Sequence, residues 1–241
     1  TDPLAYDNRL VWACRMGAES EAARHDGRPV RYEFYWGTVG KLLTPYAREV
    51  LAEKAVELGV QLIFMVDDDM VGDPETFFRL AASVVDGPAD VCGALAFTRN
   101  PPHDPVLYTC VTGYDHVERR EFFVNRPIQR YPKDALVECD AVGFGAVVFK
   151  TALLHQMKRP WFMSTCGSGE DIFFCYKAKR EAGARVFSDT RVKLGHIGTP
   201  IVVTEETYES YNALAATRAR DGDESQTVGL KPWEKPWEVL Q

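Results

Sequence analysis

Apolar runs and helix-spaced patterns alternate along the first hundred residues. Leu10 to Cys14 is a short apolar run, and Val30 to Trp36 is a second one, rich in aromatic and β-branched residues; both predict strands. Thr44-Pro45 marks a helix start, a capping hydroxyl followed by proline at the first helical position. Ala47, Val50, Leu51, Ala55 and Leu58 continue that helix at its own period, and Gly59 stops it. Val60 to Val66 is a nearly continuous apolar run, the pattern of a strand buried on both faces. Asp73-Pro74-Glu75 opens a helix running to about Val85, and Ala89 to Phe97 is the next strand. This order predicts an α/β fold, a mainly parallel central sheet with helices packed on both faces.

The second half is more broken. Val106 to Val111 and Leu136 to Cys139 are short strand candidates separated by a polar, arginine-rich stretch, and Gly143, Gly145 and the run Ala146 to Phe149 follow. Ser168 to Ala182 predicts a helix that buries Ile172, Phe173, Cys175, Tyr176 and Ala178. Arg185 to Phe187 and Val192 to His196 predict two short strands, and Thr204 to about Arg218 a last helix. From residue 221 the chain is polar and contains Lys231-Pro232-Trp233-Glu234, repeated at once as Lys235-Pro236-Trp237-Glu238, too rich in proline for a helix. It reads as a strap or loose end, with a lid or docking segment as the alternative.

Composition narrows this picture only a little. The 241 residues suit one large domain, and 46% hydrophobic with 26% charged is the balance of a globular protein. No run approaches the ~20 apolar residues of a membrane span, and no amino-terminal stretch reads as a signal peptide. The six cysteines include no C-x-x-C pair; Cys14, Cys92 and Cys175 lie in apolar runs and read as reduced core residues, which makes the expected compartment cytoplasmic. A net charge of -7 does not advertise a nucleic-acid protein, yet Arg119, Arg120, Arg126, Arg130 and Lys133 form a local basic stretch, diluted by Glu118 and Glu121.

The densest chemistry is Asp67-Asp68-Asp69, directly after the run Gln61 to Val66. In an open α/β sheet, ligands bind beyond the carboxyl ends of strands. In extended chain Asp67 and Asp69 would project to one side, and clustered carboxylates repel unless a hard cation such as magnesium or manganese is present. A solvated turn capping the next helix is the plainer reading. Gly167-Ser168-Gly169-Glu170-Asp171 is the second signal; carboxylates in a first turn also serve simply as caps, but the glycines allow another molecule close to the backbone. His196, between Gly195 and Gly198, is the third, and a lone histidine is more often a structural residue than a ligand.

In this order and spacing the three signals resemble the GT-A (Rossmann-like) glycosyltransferases, most nearly the family-two-like, inverting members, over about residues 8–200. Arg48, before the triplet, and Val142-Gly143-Phe144-Gly145, between the two motifs, fall where such enzymes carry an arginine and a glycine-rich acceptor-side turn. The first run, Val11 to Gly17, lacks the proline and small polar residue with which these enzymes hold the nucleotide base.

The resemblance implies one domain over 1–220, with a nucleotide-binding half at about 8–99, an acceptor and catalytic half at 100–200, and a tail at 221–241. It implies a hexosyltransferase that moves a sugar, with inversion, from a nucleoside-diphosphate sugar, UDP-sugar first, to an acceptor hydroxyl. Asp69, Asp67 and His196 would hold Mn2+ or Mg2+; Asp67, Asp68, Arg48 and Arg15 would bind the nucleotide sugar. Asp171 would be the base, with Glu170 as its substitute, and Gly143, Gly145, Arg99 and Trp161 would lie on the acceptor side. Small enzymes of this type without an anchor include phage sets that glucosylate modified DNA bases. A hydroxymethylated DNA base is thus one candidate acceptor, in the host cytoplasm, beside polysaccharide and protein hydroxyls. Three alternatives stand: a nucleotidyltransferase on sugar phosphates, a haloacid-dehalogenase-type phosphatase, and a non-catalytic sugar-nucleotide-binding module. Asp67, Asp69 and Val71 fit the phosphatase motif D-x-D-x-V, but those enzymes carry it on their first strand, whereas two strands are expected here before the triplet.

Overall fold

The structure, a computed structural model, describes residues 3–26, 31–39, 42–115, 120–165, 168–198 and 202–220. In chain order the elements are α1 (Pro3–His25), α2 (Thr44–Glu57), β1 (Leu62–Val66), β2 (Met70–Gly72), α3 (Thr76–Val85), β3 (Val91–Leu95), β4 (Leu107–Asp115) and β5 (Arg120–Pro127). There follow β6 (Leu136–Cys139), β7 (Ala141–Val142), β8 (Ala146–Lys150), α4 (Ala152–Gln156), α5 (Glu170–Ala182), β9 (Val186–Ile197), β10 (Val202–Val203) and α6 (Glu205–Arg220).

The α/β class holds, and its central sheet is mixed in direction. The order is β1-β8-β3-β9-β10, with β2 and β6 also paired to β9. β1, β3 and β9 run the same way, and β3–β9 is a parallel ladder; β8 lies antiparallel between β1 and β3. β4 and β5 form a long antiparallel hairpin that joins β7 in a second, three-stranded sheet.

Alternation along each strand sorts side chains onto two faces. Ile63, Met65, Val91, Leu95, Val147, Phe149 and Val186 point to one, where Ala52 of α2, Leu153 and Leu154 of α4, and Phe174 and Cys175 of α5 cover them. Cys92, Ala94, Ala146, Val148 and Leu194 point to the other, against Trp12 and Met16 of α1 and Phe77 and Leu80 of α3. Helices thus cover both faces. Phe174 stacks on Phe162 at 4.8 Å and meets Phe149 at 4.8 Å, which anchors α5 to the sheet. Gly183, at φ +63°, closes α5 in the left-handed conformation that favours glycine.

Several expectations need correction. Leu10 to Cys14 is not a strand but part of α1; Trp12 and Met16 are buried four residues apart while Leu10 and Val11 are exposed, a helical period that a five-residue apolar run conceals. Residues 31–36 pair with no strand among the described residues. Tyr32 and Phe34 alternate with exposed neighbours and pack on Phe77 and Phe78 of α3. α2 begins at Thr44 with Leu43 as its cap residue and no side-chain cap, so the Thr44 hydroxyl does not have the expected role. On α5, Phe174 rather than Phe173 or Tyr176 enters the core. The two short strands at 185–196 are one bent strand, β9, whose register with β3 shifts between Ala94 and Leu95. The arginine-rich stretch supplies β5. Cys14 is exposed, while Cys92, Cys139 and Cys175 are buried. No helix of the described residues is long and apolar enough to cross a membrane. Val30, Glu118, Arg119, Cys166, Gly167 and the 221–241 tail lie outside the described residues.

Candidate active site

β1 ends at Val66, and the chain turns through Asp67-Asp68-Asp69 into β2. The turn is pinned at both ends: Asp67 N donates to Gly145 O (3.1 Å), and Ile197 N donates to Asp69 O (2.8 Å). Because 67–69 turn instead of staying extended, the outer aspartates reach different partners. Asp68 is exposed.

Asp67 meets Arg48 of α2, with Nη2 to Oδ1 at 2.7 Å. Arg48 is only 7% exposed; its Nε stands 3.3 Å from Glu170 of α5 and its guanidinium lies 4.9 Å from the Phe144 ring centre. Its Nη1 is buried with no hydrogen-bond partner among the described residues. Arg48 therefore ties the aspartate turn to the glycine-Glu-Asp helix start, which lies a hundred residues on in sequence. Burial, then the charges of Asp69, Asp171 and Glu170, push the Asp67 carboxyl up to about 6 against the pull of Arg48.

Asp69 meets His196 at the far end of β9, Oδ2 to Nε2 at 3.2 Å. β2 pairs there with β9, Met70 opposite His196, so strand register brings the two together. His196 Nδ1 lies 2.9 Å from Phe97 O, which can only accept, so Nδ1 holds the proton. Arg99 reaches both groups: it is ion-paired with Asp69, and its Nη2 stands 3.3 Å from His196 Nε2. Burial raises the Asp69 pKa, but the bond from His196 and the charges of His196 and Arg99 outweigh it and leave it lowered. Burial likewise opposes charging of His196, yet its bonds to Asp69 and Phe97 O raise it overall.

Asp171 stands in the first turn of α5. Its Oδ1 accepts from Ile172 N at 2.7 Å, and a Cβ on Gly169 would come within 2.6 Å of that oxygen, so glycine there makes room for the folded-back carboxylate. Burial first, then the Glu170 charge, raises the Asp171 pKa. Tyr108 of β4 is near enough that, after burial, the Asp171 charge raises its phenol further.

Other expected residues stand elsewhere. Arg15 is on α1, ion-paired with Glu75 and Glu19 and lying over Phe78, so its partners are not the aspartates. The buried Trp161 indole donates to Leu154 O and Met157 O, which commits it to the core rather than to an acceptor. A Cβ on Gly143 would press Val106 at 2.9 Å and one on Gly145 the Met70 methyl at 2.8 Å, so both glycines allow close packing. Of the basic stretch, Lys133 is ion-paired with Glu205 and Glu209, and Lys133, Arg126 and Arg130 are all exposed. The strand count used against a phosphatase also falls, because β1 is the first described strand.

Asp69 offers a carboxylate oxygen and His196 an imidazole nitrogen that converge at 3.2 Å, a pair that a divalent cation such as manganese could share. Among the described residues no group of three His, Cys, Asp or Glu side chains is placed to hold an ion unaided. Two protein donors, with phosphate oxygens and waters completing the set, is how magnesium-type ions commonly bind beside a nucleotide.

No protein-family model matches the chain, and no curated protein matches it by sequence. Among solved structures it is similar to A197 from STIV, with TM-score 0.50 and 18% identity over 69% of this chain and 74% of that one. It is also similar to GalNAc-T7 solved with UDP, GalNAc and Mn2+, with TM-score 0.42 and 16% identity over 64% of this chain and 30% of that one. A third is the inositol-1-phosphate CTP transferase from T. maritima, with TM-score 0.35 and 13% identity over 70% and 61%. The first likeness is one of fold; the other two are too remote in shape to carry an argument.

Proposed function

We propose that the chain is a metal-dependent glycosyltransferase of the GT-A kind, moving a sugar from a nucleoside-diphosphate sugar to an acceptor hydroxyl with inversion. One observation carries the reading: two acidic motifs a hundred residues apart meet through Arg48, the first of them beside an imidazole. The first motif suits a cation and a diphosphate, and the second suits a base facing an acceptor.

In this reading Asp69 and His196 would hold Mn2+ or Mg2+, which when bound supplies Lewis-acid stabilisation to the departing diphosphate. Asp171 takes the acceptor proton. Glu170 is less suited to that task because Arg48 engages it, whereas the Asp171 carboxylate accepts from the Ile172 amide. The acceptor enters from the side of Tyr108 and the β4–β5 hairpin.

The test is to incubate the protein with manganese and a panel of sugar nucleotides, with and without acceptors that include hydroxymethylated DNA. Nucleoside diphosphate release supports the proposal. Pyrophosphate release would select a nucleotidyltransferase on sugar phosphates, inorganic phosphate a phosphatase, and tight binding without turnover a binding module.

A further inference from the structure

Arg99 lies just past the end of β3, in the turn 98–104. The backbone of that turn is fastened: Thr98 N donates to Asp104 O at 2.9 Å, His103 N donates to Asn100 O at 3.0 Å, and Phe97 bridges to Pro105. Its side chain, by contrast, is 53% exposed and reaches out to Asp69 and His196. Asp69 Oδ2 and His196 Nε2 are themselves 3.2 Å apart, so one guanidinium nitrogen faces both atoms.

A guanidinium N–H and a metal ion seek the same thing from these atoms, a lone pair. Nε2 of His196 either shares a second proton with Asp69 or turns its lone pair to Arg99; in both cases an incoming cation has to displace a proton donor. A dication beside the guanidinium would also be a like-charge contact. A diphosphate relieves both difficulties, because its oxygens ligate the cation and offer the displaced arginine an anionic partner.

We infer that Arg99 is a built-in stand-in for the cation, holding Asp69 and His196 until a nucleoside diphosphate arrives, so that ion and nucleotide bind as a coupled pair. The inference rests on the proposed function for the identity of the site; its own content is the competition between Arg99 and the ion. Coupling of this kind is reciprocal, so it is visible from either ligand.

The test titrates the full chain with Mn2+ alone and with Mn2+ plus UDP, counting free Mn2+ by electron paramagnetic resonance. Arg99→Ala and Arg99→Gln are compared with the wild type, and thermal melts verify folding. Both variants should bind Mn2+ alone about fivefold tighter or more, and UDP should strengthen their Mn2+ binding by a smaller factor than in the wild type. Calorimetry of UDP binding with and without Mn2+ should return the same loss of coupling. If the variants bind Mn2+ alone no more tightly than a wild type that binds it well with UDP, the stand-in role is overturned and the metal site survives. If no form binds Mn2+ even with UDP, the metal-dependent reading falls, and this inference with it.

Discussion

Arg48 and Asp67 form an ion pair of 2.7 Å that joins α2 to the carboxyl end of β1, and the same guanidinium reaches Glu170 at the start of α5. A nearly buried cation thus faces a cluster of carboxylates, and its charge opposes the burial that raises the Asp67 pKa.

Arg48→Ala leaves those carboxylates without their countercharge. The expected loss of stability is about 2 kcal/mol, below that of a fully buried pair because Asp67 is partly exposed. Arg48→Lys should restore part of it, since an ammonium can serve one carboxylate but not fork between two. Urea denaturation measures both; an unchanged midpoint for Arg48→Ala would refute the structural part of this role.

Asp69→Ala and Asp171→Asn should fail differently. The first should abolish metal-dependent donor binding in calorimetry. The second should bind donor normally and lose transfer by a factor of about 100 or more. Wild-type turnover by Asp171→Asn would remove it as the base.

Acid should abolish the proposed transfer earlier than an ordinary aspartate would suggest. A base works deprotonated, and burial together with Glu170 raises the Asp171 pKa, so its active form is lost on acidification above the usual range near 3.9. Glu170→Gln removes the neighbouring charge and should move the acid limb of the kcat/KM profile to lower pH. A limb that moved upward would contradict the assignment.

Asp90 predicts a pH effect on stability alone. It accepts from Lys150 Nζ at 2.7 Å and from Arg185 N at 2.9 Å, clasping β3, β8 and the approach to β9. Burial would raise its pKa, but these bonds dominate and lower it. Because the folded value is below the unfolded one, the stabilisation is present above the ordinary aspartate range and fades as pH falls through the folded value. Asp90→Ala should cost about 1–2 kcal/mol at neutral pH and much less in strong acid, by thermal melts.

Much of the site was legible because it is local. The aspartate turn follows a strongly apolar strand, and the Glu-Asp pair opens a helix that Gly183 closes. The partners were less so. Arg99 was expected near an acceptor, and only strand register shows that the end of β3 delivers it to Asp69 and His196. The Phe97 carbonyl that orients His196 leaves no mark in sequence, since any residue supplies one. The amino-terminal segment misled for a physical reason: a five-residue apolar run fits a strand or one turn of an amphipathic helix equally, and only tertiary packing on α3 decides. Sheet direction was hidden too, because β8 is as apolar as its neighbours and inserts between them antiparallel.

β9 has a consequence for how the protein comes to be active. The aspartate turn is complete by residue 72, yet the imidazole that faces it arrives on a strand beginning at Val186. A nascent chain that has not yet reached His196 has its carboxylates but not their partner. The Asp69–His196 pair, whose closure spans 127 residues, belongs among the contacts of greatest loop-closure cost. Competence for the proposed chemistry therefore waits on the closure of that long loop.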